Sequence, residues 1–147
     1  MIEINDGATF GAIAATLYAA HKWADLAVQT DAQAARKGRP GEENPATAAQ
    51  SWRALIAHVV SYHLVMAAML AVVVLVLDLP VTLTGASAGL AWSAITHGFL
   101  DRRWPIRAWM RRTGSRDFAE QPFGRFQVDQ AWHVLCLWLS ALLITLL

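Results

Sequence analysis

The chain has 147 residues, a length that fits one domain. Hydrophobic residues make up 56% of it and charged residues 16%, below the roughly 25% of ordinary soluble domains, so a water-exposed globule is disfavoured and lipid contact is expected. The net charge is only +1, and the single cysteine, Cys136, excludes a disulfide framework within the chain; in its apolar run it reads as a buried core thiol.

Four long apolar segments follow one another, with helices expected over about residues 7–29, 50–79, 81–104 and 126–147. The preceding MIEIND is acidic and lacks the basic start of a cleavable signal peptide, so the first helix is expected to be kept. The first segment, GATFGAIAATLYAAHKWADLAVQ, is apolar in its first half and carries His21, Lys22 and Asp25 in its second. Between residues 30 and 49, RKGRPGEENP is a loop by its glycine, proline and charge content. HLVMAAMLAVVVLVLDL forms the most apolar part of the second segment, and Pro80 opens the short turn after it. The third segment is rich in small residues that let helices approach closely. A second long connection, about 105–125, leads to the fourth segment. Strands are not expected, because the apolar runs are long and lack a period of two. Each segment can supply the roughly 20 residues that cross a hydrocarbon core of about 30 Å.

Basic residues orient this bundle. The first connection region holds Arg36, Lys37, Arg39 and Arg53, and the second holds Arg102, Arg103, Arg107, Arg111, Arg112, Arg116 and Arg125. The opposite side offers Glu3, Asp6 and Asp78. The expected fold is therefore a single all-α domain over residues 1–147, a polytopic membrane protein of four transmembrane helices in an antiparallel bundle. Both long connections face the cytoplasm and both termini lie outside. The expected location is the inner, or plasma, membrane.

On this topology the buried polar residues align. His21 and Asp25 close the first segment, and His97 and Asp101 close the third; Asp129 and His133 open the fourth. Each pair is spaced i, i+4 and so shares a helix face. The order reverses where the helix direction reverses. All three aspartates then lie nearer the cytoplasm, with the histidines about 6 Å deeper. The second segment offers His58, whose matching aspartate position is Ala54. His63 lies five residues on, about 140° round the helix, on another face. One such pair is explained by an interhelical hydrogen bond. Three at one depth point to a shared polar site, since ionisable residues inside a membrane are costly.

Four imidazoles and three carboxylates suit zinc or a similar divalent ion. Seven ligands exceed the four of a structural zinc, so two ions, or one ion with carboxylates orienting the histidines, both fit. Metal is assigned to His21, Asp25, His58, His97, Asp101 and His133, with Asp129 as a ligand or the catalytic general base. A divalent ion at the membrane boundary lowers the pKa of its bound water toward 7, which suits hydrolysis. A serine hydrolase is disfavoured: G-x-S-x-G is absent, and Ser61, Ser93 and Ser140 lack a nucleophile-elbow context. Phosphate-loop and dinucleotide fingerprints are absent as well.

HKWADLAVQ, LIAHVVSYH, THGFLD and VDQAWH together resemble an uncharacterised family of small bacterial and phage membrane proteins, marked by H-x3-D, a central histidine, H-x3-D and D-Q-x2-H. The resemblance covers nearly the whole chain. It carries His21, Asp25, His58, His97, Asp101, Asp129, Gln130 and His133 onto the family pattern, and it implies the fold more than the activity. Gln130 enters the assignment this way; with His63 it is placed as a support behind the ligands. The chain is more distantly similar to membrane-bound metal-dependent hydrolases and to the zinc phospholipase C and P1 nuclease group. That similarity favours phosphoesters as substrates, although the chain is much shorter than the soluble members and lacks their N-terminal tryptophan ligand.

The run DRRWPIRAWMRRTGSR gives the site a basic rim. Pro105 ends or kinks the helix. Ile106, Trp109 and Met110 are expected to dip into the interface while Arg107, Arg111 and Arg112 stay wet. Arg102, Arg103 and Arg107 are expected to bind anionic lipid headgroups or a substrate phosphate. Trp23, Trp52, Trp104, Trp109 and Trp132 form an inner aromatic belt, and Trp92 and Trp138 are assigned to packing. The expected partners are the lipid bilayer and its anionic headgroups; a homo-oligomer is compatible, and nucleic acid is not expected. Two non-enzymatic alternatives stand beside the hydrolase: an ion or proton pathway, disfavoured by the bare outer halves of the second and fourth segments, and a structural or lytic phage-type protein using the pairs as helix–helix glue.

Overall fold

The computed structural model describes residues 4–41, 44–121 and 123–147, without the side chains of residues 4 and 5. Glu3, counted above among the outer charges, lies outside the described residues, as do Glu42 and Glu43 of the first connection and Pro122 of the second. Among the described residues the chain is helical, with no strand beyond an isolated bridge between Gly41 and Asn44. The helices are α1 (Ile4–Trp23), continued by a π-helical turn (Ala24–Val28), α2 (Asp31–Arg36), α3 (Ala48–Val76), α4 (Leu83–Leu100), α5 (Trp104–Arg112), α6 (Arg116–Glu120) and α7 (Gly124–Leu146). The four apolar segments correspond to α1 with its π turn, α3, α4 and α7. The long connections hold α2, α5 and α6.

Local chemistry fixes the helix ends. Thr30 and Gln33 form a capping box at α2, as do Thr47 and Gln50 at α3, each satisfying two otherwise orphaned backbone donors. The Thr82 hydroxyl accepts from Gly85 N at the start of α4. α4 stops at Leu100, earlier than expected. Asp101 caps it, Arg103 turns left-handed at φ 63°, and Pro105 falls in the first turn of α5, where its missing N–H costs nothing.

α1 packs on α3 and α7, and α4 packs on α3 and α7. Ile13, Leu17, Met66, Leu70, Leu137, Ala141 and Ile144 form the main core between them. Gly85 and Gly89 face α7. A Cβ on Gly85 would lie 2.7 Å from Ile144 O, and one on Gly89 would meet the Ile144 side chain and lie 2.8 Å from Ser140 O. The small-residue character of the third segment thus serves close helix contact. Ser140 Oγ donates to Gly89 O at 2.8 Å across the same seam.

Three expectations change here. Ile106 and Met110 are buried against Leu100 instead of dipping into an interface, because α5 folds back onto α7; Trp109 stays exposed. Cys136 is partly exposed, at the margin of that second cluster. Trp92 and Trp138 pack, on Cys136 O and on the Phe10 ring respectively, but both remain at the surface.

Two helices, α3 and α7, are long and apolar enough to cross a membrane. The apolar residues of α3 are largely turned outward: only 17% of its most apolar stretch is buried, and Leu64, Val72, Leu75 and Val76 are exposed.

Candidate metal centre

The buried stripe of α3, Ser51, Leu55, His58, Tyr62, Met66 and Leu70, recurs every three or four residues and puts His58 and Tyr62 on the inner face. His97 occupies the last turn of α4, and Asp101 caps that helix. Asp25 lies in the π turn, where Gln29 N bonds back to Ala24 O at 3.1 Å. Such turns recur at functional sites.

Asp25, His58, His97 and Asp101 are all buried, and one ligand atom from each lies within 4.8 Å of the others. His58 Nε2 and His97 Nε2 are 2.9 Å apart. His58 Nε2 stands 3.2 Å from Asp25 Oδ1 and from Asp101 Oδ2, and His97 Nε2 stands 3.1 Å from Asp101 Oδ2. Despite these neighbours Asp101 Oδ2 receives no hydrogen bond among the described residues. Imidazole and carboxylate lone pairs therefore crowd a common centre, and a proton or a cation must lie among them. The donor set fits a borderline divalent ion. One feature departs from the usual metal-bound histidine, whose second nitrogen is hydrogen-bonded: Nδ1 of both His58 and His97 lacks a partner among the described residues.

The other predicted residues surround this group. His21 does not join the four donors; its Nδ1 is 3.0 Å from Tyr62 Oη and its Nε2 3.2 Å from Gln130 Oε1. Gln130 in turn donates to Asp25 Oδ2 at 3.2 Å, so it links His21 to a donor carboxylate. His133 stacks on His21 and points Nε2, which lacks a hydrogen-bond partner, to within 4.0 Å of Asp101 Oδ1. Asp129 is 3.5 Å from His133 Nδ1 and faces a cleft. His63 turns aside to Val59 O and Ser93 Oγ, and its ring meets His97 edge-on.

Two members had no place in the sequence reading. The Tyr62 ring stacks on His97 with centroids 3.9 Å apart. Its signal was its place four residues after His58, one turn further along the same face. Lys37 Nζ lies 2.8 Å from Asp101 Oδ1, 3.2 Å from Asp25 Oδ1 and 3.1 Å from His58 Nε2. It was read only as a cytoplasmic charge.

Arg102 and Arg103 reach inward to α2, the residue after it and the start of α3. Arg102 Nη1 donates to Lys37 O and to Ser51 Oγ, and its guanidinium lies 4.6 Å from the centre of the Trp52 ring. Arg103 Nη2 donates to Ala34 O at 2.6 Å. Arg107, by contrast, lines the cleft, a space of about 440 Å³ that also touches Asp25, Lys37, Asp101, Arg103, Arg125 and Asp129. The carboxylate cluster thus opens onto a basic wall. Compared with family models, with curated proteins and with solved structures, the chain matches none, so the reading of this centre rests on its own geometry.

Proposed function

We propose that the chain is a multi-pass membrane protein of the plasma membrane, its four long helices antiparallel and both termini outside, with a divalent-metal hydrolase site at its cytoplasmic end. The outward-facing apolar residues of α3 support membrane insertion, since a core helix of a soluble protein would be mostly buried. The observation that carries the catalytic reading is the convergence of Asp25, His58, His97 and Asp101, of which Asp25 and Asp101 line a cleft shared with Arg103, Arg107 and Arg125.

In this reading the four donors hold the ion, zinc being the best match to mixed imidazole and carboxylate ligands. When bound, the ion would supply Lewis-acid polarisation and water activation. Arg103, Arg107 and Arg125 orient an anionic phosphoester in the cleft, and Asp129 at the cleft wall accepts a proton during hydrolysis. Gln130 and His21 hold Asp25 in place through the hydrogen bonds described above. Elemental analysis of detergent-purified protein tests this: the wild type should retain zinc or a similar ion and cleave a chromogenic phosphodiester, and His97→Ala should lose both while still inserting. Unchanged metal content in His97→Ala would remove the proposal.

A second reading follows from Lys37, whose ammonium already pairs with both carboxylates. In it the cluster is a charge-compensated lock between helices without metal. His97→Ala would then lower stability and change no metal content.

A further inference from the structure

Lys37 follows a six-residue helix in a connecting segment, yet it is buried. Its backbone is tied down on both sides. Asn44 Nδ2 donates to Arg36 O and Gly38 O, Ser51 Oγ donates to Gly38 O, Arg102 Nη1 donates to Lys37 O, and Arg39 N donates to Arg102 O. So many bonds on one short segment fix where the lysine side chain enters. Its Nζ then touches Asp25 Oδ1 and His58 Nε2, two atoms of the candidate donor set.

We propose that Lys37 is a tethered cation that holds the place of the divalent ion: ammonium and metal exclude each other, and metal entry expels the Lys37 side chain into the basic cleft. The inference rests on the metal-centre reading. An ion sharing Asp25 Oδ1 and His58 Nε2 would stand within about 5 Å of the ammonium, where burial strengthens the repulsion between the like charges. Charge balance points the same way. The ammonium offsets one of the two donor carboxylates, whereas a dication offsets both. The cleft beside Lys37 gives the displaced side chain somewhere to go, and there its charge adds to that of Arg103 and Arg107 at the wall that receives an anion.

The test uses the full chain in detergent. Lys37 acetylation by limiting acetic anhydride is read by mass spectrometry after chelator treatment and after adding zinc alone. Lys37 should be protected in chelator and modified several-fold faster with zinc, with no zinc effect in His97→Ala. Equal protection in zinc-loaded wild type would overturn the exclusion. In a second measurement, Lys37→Met should bind zinc at least about tenfold more tightly than wild type in chelator competition, because the opposing charge is gone. Equal or weaker binding would also overturn it, and would leave the metal centre standing. Zinc bound by Lys37→Met alone supports the exclusion. Zinc bound by neither protein removes the metal centre and the exclusion with it.

Discussion

His58 draws its carboxylates from other helices. The sequence offered no aspartate at Ala54, and the structure supplies Asp25 and Asp101 from the chain before and after α3. The i, i+4 rule found His97 with Asp101 correctly as neighbours, 3.1 Å apart. It could not foresee that His21 and Asp25 would part, because the rule assumes an α-helix and a π turn begins at Ala24. Nor could it foresee Lys37, since helical periodicity says nothing about a side chain delivered from a connection. The imidazoles also set an expected acid sensitivity. They bind metal only when neutral, so in the proposed centre zinc affinity should fall progressively as the pH is lowered from about 7 toward 5. Full retention at the acid end, measured after dialysis across that range, would contradict histidine ligation.

At the level of elements, the long helices were readable because their apolar runs are local signals. The short ones were not. α2, α5 and α6 lie in segments whose charge and proline content read as loop, and α5 is fixed by burying Ile106 and Met110 against α7. For the arginines after Asp101, the charge pattern does not reveal that Arg102 donates to Lys37 O and Arg103 to Ala34 O in α2. The seam between α4 and α7 depends on glycine. Gly89→Leu should force the Ser140–Ile144 backbone away and destabilise the fold by about 1–3 kcal/mol or more, seen as a lower unfolding midpoint in detergent. An unchanged midpoint would mean that the seam is looser than its backbone distances indicate.

For the whole molecule, the membrane reading makes a distinct demand. Reporters fused to either end should be active only outside the cytoplasm, and one placed in the connection near Gly41 only inside; a split result would break the four-span arrangement. Among the described residues, α3 and α7 are the helices long and apolar enough to span. α1 carries Asp6, His21 and Lys22, and α4 is rich in glycine, serine and threonine, so both are less apolar than α3 and α7. The π turn has a bearing on how such a chain can drift over evolutionary time. Its Gln29 N to Ala24 O bond spans five residues where an α turn spans four, so losing one residue from Ala24–Val28 other than Asp25 can be absorbed by a return to α-helical bonding, leaving Thr30 and α2 in place. Between His21 and Lys37, then, the number of residues can change by one more readily than Asp25 itself can be replaced.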